Sequence, residues 1–93
     1  DEEIQILEKN ATNGDKNSAF KLYQYHMFVS LDQDLEFKWL EIAAKNGHPI
    51  AQSNLADLFF TQGNKEKAIF WAKKAYRNGA KLPDELKILI NIN

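Results

Sequence analysis

Between residues 51 and 59, Ala51, Leu55, Ala56 and Phe59 fall at i, i+4, i+5 and i+8, with Gln52, Ser53, Asn54 and Asp57 among the residues between them, the spacing of one face of an α-helix. Further on, Ala68, Ile69, Trp71, Ala72, Ala75 and Tyr76 mark a broader apolar stripe of the same period. The punctuation around both agrees. Pro49 suits a first helical turn, where its missing N–H costs nothing, Gly63 suits a helix stop, and Asn64 suits the cap of the next helix. Upstream the order recurs with Ala19, Leu22, Tyr23 and His26, then Asp32 as a cap, then Leu35, Trp39, Leu40, Ala43 and Ala44. The pattern predicts helices over 2–12, 16–28, 33–45, 49–61, 65–77 and 83–91. Loops this short make neighbouring helices pack antiparallel. The last element has a competing reading. Pro83, Asp84 and Glu85 form a favourable first turn, with Leu86, Leu89 and Ile90 able to close one end, but Ile88, Ile90 and Ile92 alternate with the two-residue period of a strand.

The sequence also repeats itself. Asn-Gly stands at Asn13-Gly14, Asn46-Gly47 and Asn78-Gly79, spaced by 33 and then 32 residues. Phe37, Trp39, Ala43, Asn46 and Gly47 lie over Ile69, Trp71, Ala75, Asn78 and Gly79 without a gap, and Leu22 and Leu55 each follow a glycine by eight residues. Ile4, Leu7, Ala11 and Asn13-Gly14 match the template more loosely. This organisation predicts one repeat domain over 1–93: a helix of an incomplete first unit (1–14), two repeats (15–47 and 48–79) and a capping helix (80–93). Alternating Trp and Ala seats a large ring against small residues of the adjacent helix, so two backbones approach closely. One helix pair cannot cover both of its faces, so successive pairs must stack.

Composition narrows the classes. With 44% hydrophobic and 27% charged residues among 93, the protein is globular rather than disordered. It has no Cys, which removes disulfides and thiolate metal sites. No apolar run reaches the roughly 18 residues of a membrane span. Residue 1 is Asp rather than Met, as expected of a processed or trimmed chain from which any export signal has gone. The net charge of −1 hides a dipole: residues 1–41 carry nine acids against four lysines, whereas residues 65–93 carry seven bases against three acids. Such a dipole steers charged partners, or simply reflects helix faces dressed with lysine.

The run Ala43-Ala44-Lys45-Asn46-Gly47-His48-Pro49-Ile50-Ala51-Gln52-Ser53-Asn54-Leu55-Ala56-Asp57-Leu58-Phe59 resembles the junction of Sel1-like repeats, relatives of tetratricopeptide repeats. The resemblance covers residues 4–80, most tightly 29–79. These units are shorter than the usual Sel1-like unit and drift toward the tetratricopeptide length of about 34 residues. Tyr23 stands where the family carries a small residue, and His26 where an aromatic ring is usual. The resemblance implies an all-α fold: a short right-handed α-solenoid of about six helices in antiparallel pairs. It also implies a protein-binding scaffold, with adaptor roles in the family and, in bacteria, exported members and neutralising partners of secreted toxins. Bacterial periplasm or export is accordingly expected ahead of cytoplasm.

Catalytic chemistry finds little support. No nucleophilic Cys, G-x-S-x-G, P-loop or dinucleotide fingerprint is present. His26 and His48 lack the spacing of a zinc-binding helix. His26 reads as a packed helix residue and His48 as a turn residue or helix cap. Acidic pairs such as Asp32/Asp34 and Asp84/Glu85 fall at helix starts, where the dipole favours them. Lys73, Lys74, Arg77 and Lys81 form a basic strip with few aromatic residues on its polar face, which argues against nucleic acid. The sequon Asn10-Ala11-Thr12 falls on a predicted helix. No catalytic, cofactor or metal site is expected. The expected partner is another protein, bound on an inner surface made by Phe20, Gln24 and Met27 of the first repeat and Ser53, Asp57 and Phe60 of the second. Phe20, Met27 and Phe60 are large apolar groups off the main stripes, so they either fill an irregular core or form an apolar interaction patch. The narrower alternatives are an immunity protein that neutralises a toxin or hydrolase, and a slice of a longer scaffold array.

Overall fold

A computed structural model describes residues 1–92. The order is α1 (Glu2–Thr12), α2 (Lys16–Phe28), α3 (Gln33–Lys45), α4 (Pro49–Thr61), α5 (Lys65–Arg77) and α6 (Asp84–Leu89), with no strand among the described residues. Polar residues just ahead of the helices set their starts. The Asp15 carboxylate accepts from Asn17 N–H at 3.1 Å and from the Ser18 hydroxyl at 2.7 Å, Asp32 accepts from Leu35 N–H at 3.1 Å, and Asn64 accepts from Lys67 N–H at 3.1 Å. Each satisfies a first-turn N–H that has no intrahelical partner. The bond from Ser18, together with the Asn17 and Ser18 amides, holds the Asp15 carboxyl below its usual range against the opposing pull of desolvation.

Helix ends share one device. Gly47 takes φ +97°, its N–H returns to Ala44 O at 3.1 Å, and the His48 N–H returns to Ala43 O at 3.0 Å. These paired bonds satisfy the last carbonyls of α3 in a Schellman turn that suits glycine. The same pair of bonds recurs at Gly14, Gly63 and Gly79. The end of α2 lacks a glycine, and there Leu31 takes the left-handed conformation at φ 58°.

Two compact units result, Asp1–His48 and the segment from Pro49 onward. In the first, α2 packs against α1 and α3, and Ala11, Ala19, Leu22, Tyr23, Trp39, Leu40, Ala43 and Ala44 are buried. In the second, α5 packs against α4 and α6, and Ala51, Leu55, Ala56, Phe59, Ala68, Trp71, Ala72, Ala75, Leu82 and Leu86 are buried. Matching positions share an environment: Leu22 and Leu55 are fully buried, and Trp39 and Trp71 are 3% and 9% exposed.

The C-terminal region differs from the predicted helix over 83–91. Pro83 is the N-cap, α6 stops at Leu89, and Asn91 turns the backbone at φ 63°. The two-residue isoleucine period makes no strand, because Ile92 N–H folds back to Lys87 O at 2.8 Å. The predicted capping segment ends at Asn93, which lies outside the described residues. Tyr76, placed by its spacing on the buried stripe of α5, is exposed, one step round the helix from buried Ala75.

Candidate protein-binding surfaces

In the second unit, the glycine stop after α5 redirects the backbone through residues 80–83, which run without helical hydrogen bonding to the start of α6. Two contacts fix this segment. The Asn78 side-chain amide donates to Gln52 Oε1 at 2.9 Å, joining the end of α5 to α4, and Leu82 is buried. Between this segment and the first turns of α4 lies a cleft of about 700 Å3. Ile50, Leu82 and Pro83 give it apolar walls, Ser53 and Asn54 line it with polar groups, and Lys81 adds a cation. Its volume falls within the roughly 300–1,000 Å3 of ligand-sized pockets. Ile50 is 54% exposed, so one wall stands open to solvent.

A shallower groove of about 410 Å3 lies between Lys73, Tyr76 and Arg77 of α5 and the isoleucines Ile90 and Ile92. Beside it, the ammonium of Lys74 sits 5.1 Å from the Phe70 ring centroid and 5.8 Å from that of Trp71. Phe70 and Tyr76 are both exposed, so the basic strip carries more aromatic surface than the sequence suggested.

In the first unit, Phe20 stacks on His48, with ring centroids 4.1 Å apart and planes 13° off parallel, and contacts Tyr23 at 5.4 Å. Burial, then the charge of Lys16, pushes the His48 imidazole below its ordinary 6.5. His26 is buried; its Nδ1 shares a hydrogen with Ser30 Oγ at 2.7 Å, and its Nε2 is buried without a hydrogen-bond partner. The turn that follows is the most exposed apolar segment of this unit, with Phe28 at 70% and Leu31 at 71%.

The six residues expected to bind a partner form two triplets at i, i+4 and i+7, one on α2 and one on α4. Gln24 is exposed, while Phe20, Met27, Asp57 and Phe60 are half-buried. Ser53 is only 7% exposed. It belongs to the lining of the second unit's cleft rather than to an open face, because α4 is covered along more of its circumference than one apolar stripe implies. Sequence reasoning placed Lys81 in a basic strip and Pro83 at a helix start but did not bring either together with Ile50 as a site, because their meeting depends on how the loop after α5 returns to α4. Among the described residues no three His, Asp or Glu side groups converge to hold a metal ion, and no helix is long and apolar enough to cross a membrane.

No family model matches the protein, and no solved structure matches it. It is similar to the uncharacterized protein YibG of Escherichia coli strain K12, with 31% identity over 86 residues, covering 85% of this chain and 56% of YibG. It thus spans about half the length of that curated relative.

Proposed function

We propose that the protein is a non-catalytic binding module built of Sel1-like repeats, its helices stacked as antiparallel pairs of a short α-solenoid, that takes another protein as its partner. The observation that carries this reading is the cleft beside α4, apolar on its walls, polar within and open at Ile50. Apolar walls with a small number of placed polar groups are the usual make-up of a binding cleft. A partner segment inserts an apolar side chain between Ile50 and Pro83 and places acidic groups near Lys81. The histidines suit binding better than catalysis: His48 is stacked on Phe20, and His26 is closed off by burial and Ser30.

Affinity capture from the native source, with bound protein identified by mass spectrometry, tests this reading. Ile50→Asp and Lys81→Glu alter exposed side chains, so helix content by circular dichroism is expected to hold while the captured partner is lost. A partner retained by the double variant contradicts this placement of the site.

A further inference from the structure

We propose that Asn13 and Asn46 are sites of spontaneous deamidation, and that Gln52 shields Asn78 from the same reaction. In each Asn-Gly pair the glycine amide nitrogen can attack the asparagine Cγ, unhindered by a side chain on the following residue. The new bond from that nitrogen to Cγ closes a five-membered succinimide, the Cγ–Nδ2 bond breaks, and ammonia leaves with the glycine amide proton. Water then opens the ring at either carbonyl, giving aspartate or isoaspartate. The net change is amide plus water to carboxylic acid plus ammonia, with no oxidant or reductant.

The molecule holds its own controlled comparison. The three asparagines cap α1, α3 and α5 with nearly the same backbone, φ/ψ of −86/9, −85/5 and −92/11. The attacking nitrogens are held alike, Gly14 to Ala11 O at 3.0 Å, Gly47 to Ala44 O at 3.1 Å and Gly79 to Tyr76 O at 3.1 Å. All three asparagines are exposed. The side chains differ. Only at Asn78 is the leaving amide tied down, donating to Gln52 Oε1 at 2.9 Å. The repeat explains why: the residue 33 positions before Gln52 is Ala19, which has no side-group carbonyl to offer the cap of α3. Among the described residues, the Asn13 and Asn46 side chains have no hydrogen-bond partner. Each must swing its Cγ toward the next nitrogen to react, and only Asn78 must first break a bond to do so. A net hydrogen bond of about 0.5–1.5 kcal/mol corresponds to a rate difference of about 2- to 13-fold. Reaction at Asn46 places a carboxylate at the negative end of the α3 dipole, two residues before the His48 ring that holds Phe20.

The test is incubation of the folded full-length protein in mildly alkaline buffer, with peptide mapping by mass spectrometry and enzymatic detection of isoaspartate. Acid is expected to accumulate at positions 13 and 46 several-fold faster than at 78. Gln52→Leu is expected to raise position 78 to the rate of position 46, and Gly47→Ala to slow position 46 alone. Urea-unfolded protein is expected to react at similar rates at all three. Equal rates in the folded wild type overturn the proposal. So does the absence of product at 13 and 46 over a period that converts the unfolded protein. If Gln52→Leu fails to fold, the wild-type ratio decides alone.

Discussion

At the scale of single residues, the Phe20–His48 stack joins one expected binding residue to the turn that ends the first unit. Its imidazole is held below 6.5 by burial and by Lys16, so the unfolded protein takes up the proton first as pH falls. Stability from this residue is therefore complete above 6.5 and declines below it, until the folded protein also protonates. Thermal unfolding midpoints are expected to fall on acidification through that range, with a shallower fall for His48→Gln. An unchanged slope in the variant would remove His48 from this role. Protonation would also place a charge against the Phe20 ring. The attraction of a cation to an aromatic face, worth about 0.5–1 kcal/mol at exposed sites, acts against the burial cost.

At the scale of the element, helix boundaries follow local chemistry, and this is why five of the six were legible from residue order alone. Asp32 and Asn64 read as caps and act as caps, and Gly47 and Gly79 read as stops and take the positive φ that a stop requires. Asn64→Ala is expected to cost about 1 kcal/mol, read as a shift in the urea midpoint without a change in slope. Where chemistry is not local, the sequence was silent or misleading. The Asn78–Gln52 bond spans 26 residues, and the stack of Phe20 on His48 spans a helix and a loop. Ser53 looked like surface because its burial depends on what covers α4, which no periodicity within α4 records. The end of α6 was misread because its isoleucine alternation fits two periods over too few residues to separate them.

At the scale of the whole molecule, two units built on one template carry opposite charge. The first holds nine acids and five lysines, and the second holds four acids and seven bases. The ion pair found among the described residues, Lys45 with Glu41 at 3.9 Å, is exposed and neutralises little of this. The acidic partner segment proposed above is therefore expected to bind the second unit more weakly as salt is raised. The repeat also makes a stability comparison possible. Leu22→Ala and Leu55→Ala remove fully buried side chains at matching positions, and each is expected to cost about 2–5 kcal/mol in denaturant unfolding. A cost below about 1 kcal/mol at either site would contradict its place at the centre of its unit. The cleft beside α4 belongs to Leu55's unit, so the binding proposed there is expected to respond to Leu55→Ala more than to Leu22→Ala.

The most direct measurement is site-specific photocrosslinking in the native source, with a photoreactive residue replacing Ile50, Lys81 or, as a control away from the cleft, Glu66. The expected result is one protein joined at positions 50 and 81 and not at 66, with helix content unchanged in all three variants. Crosslinks of equal strength at position 66, or none at 50 and 81 in folded protein, would contradict a binding site in this cleft.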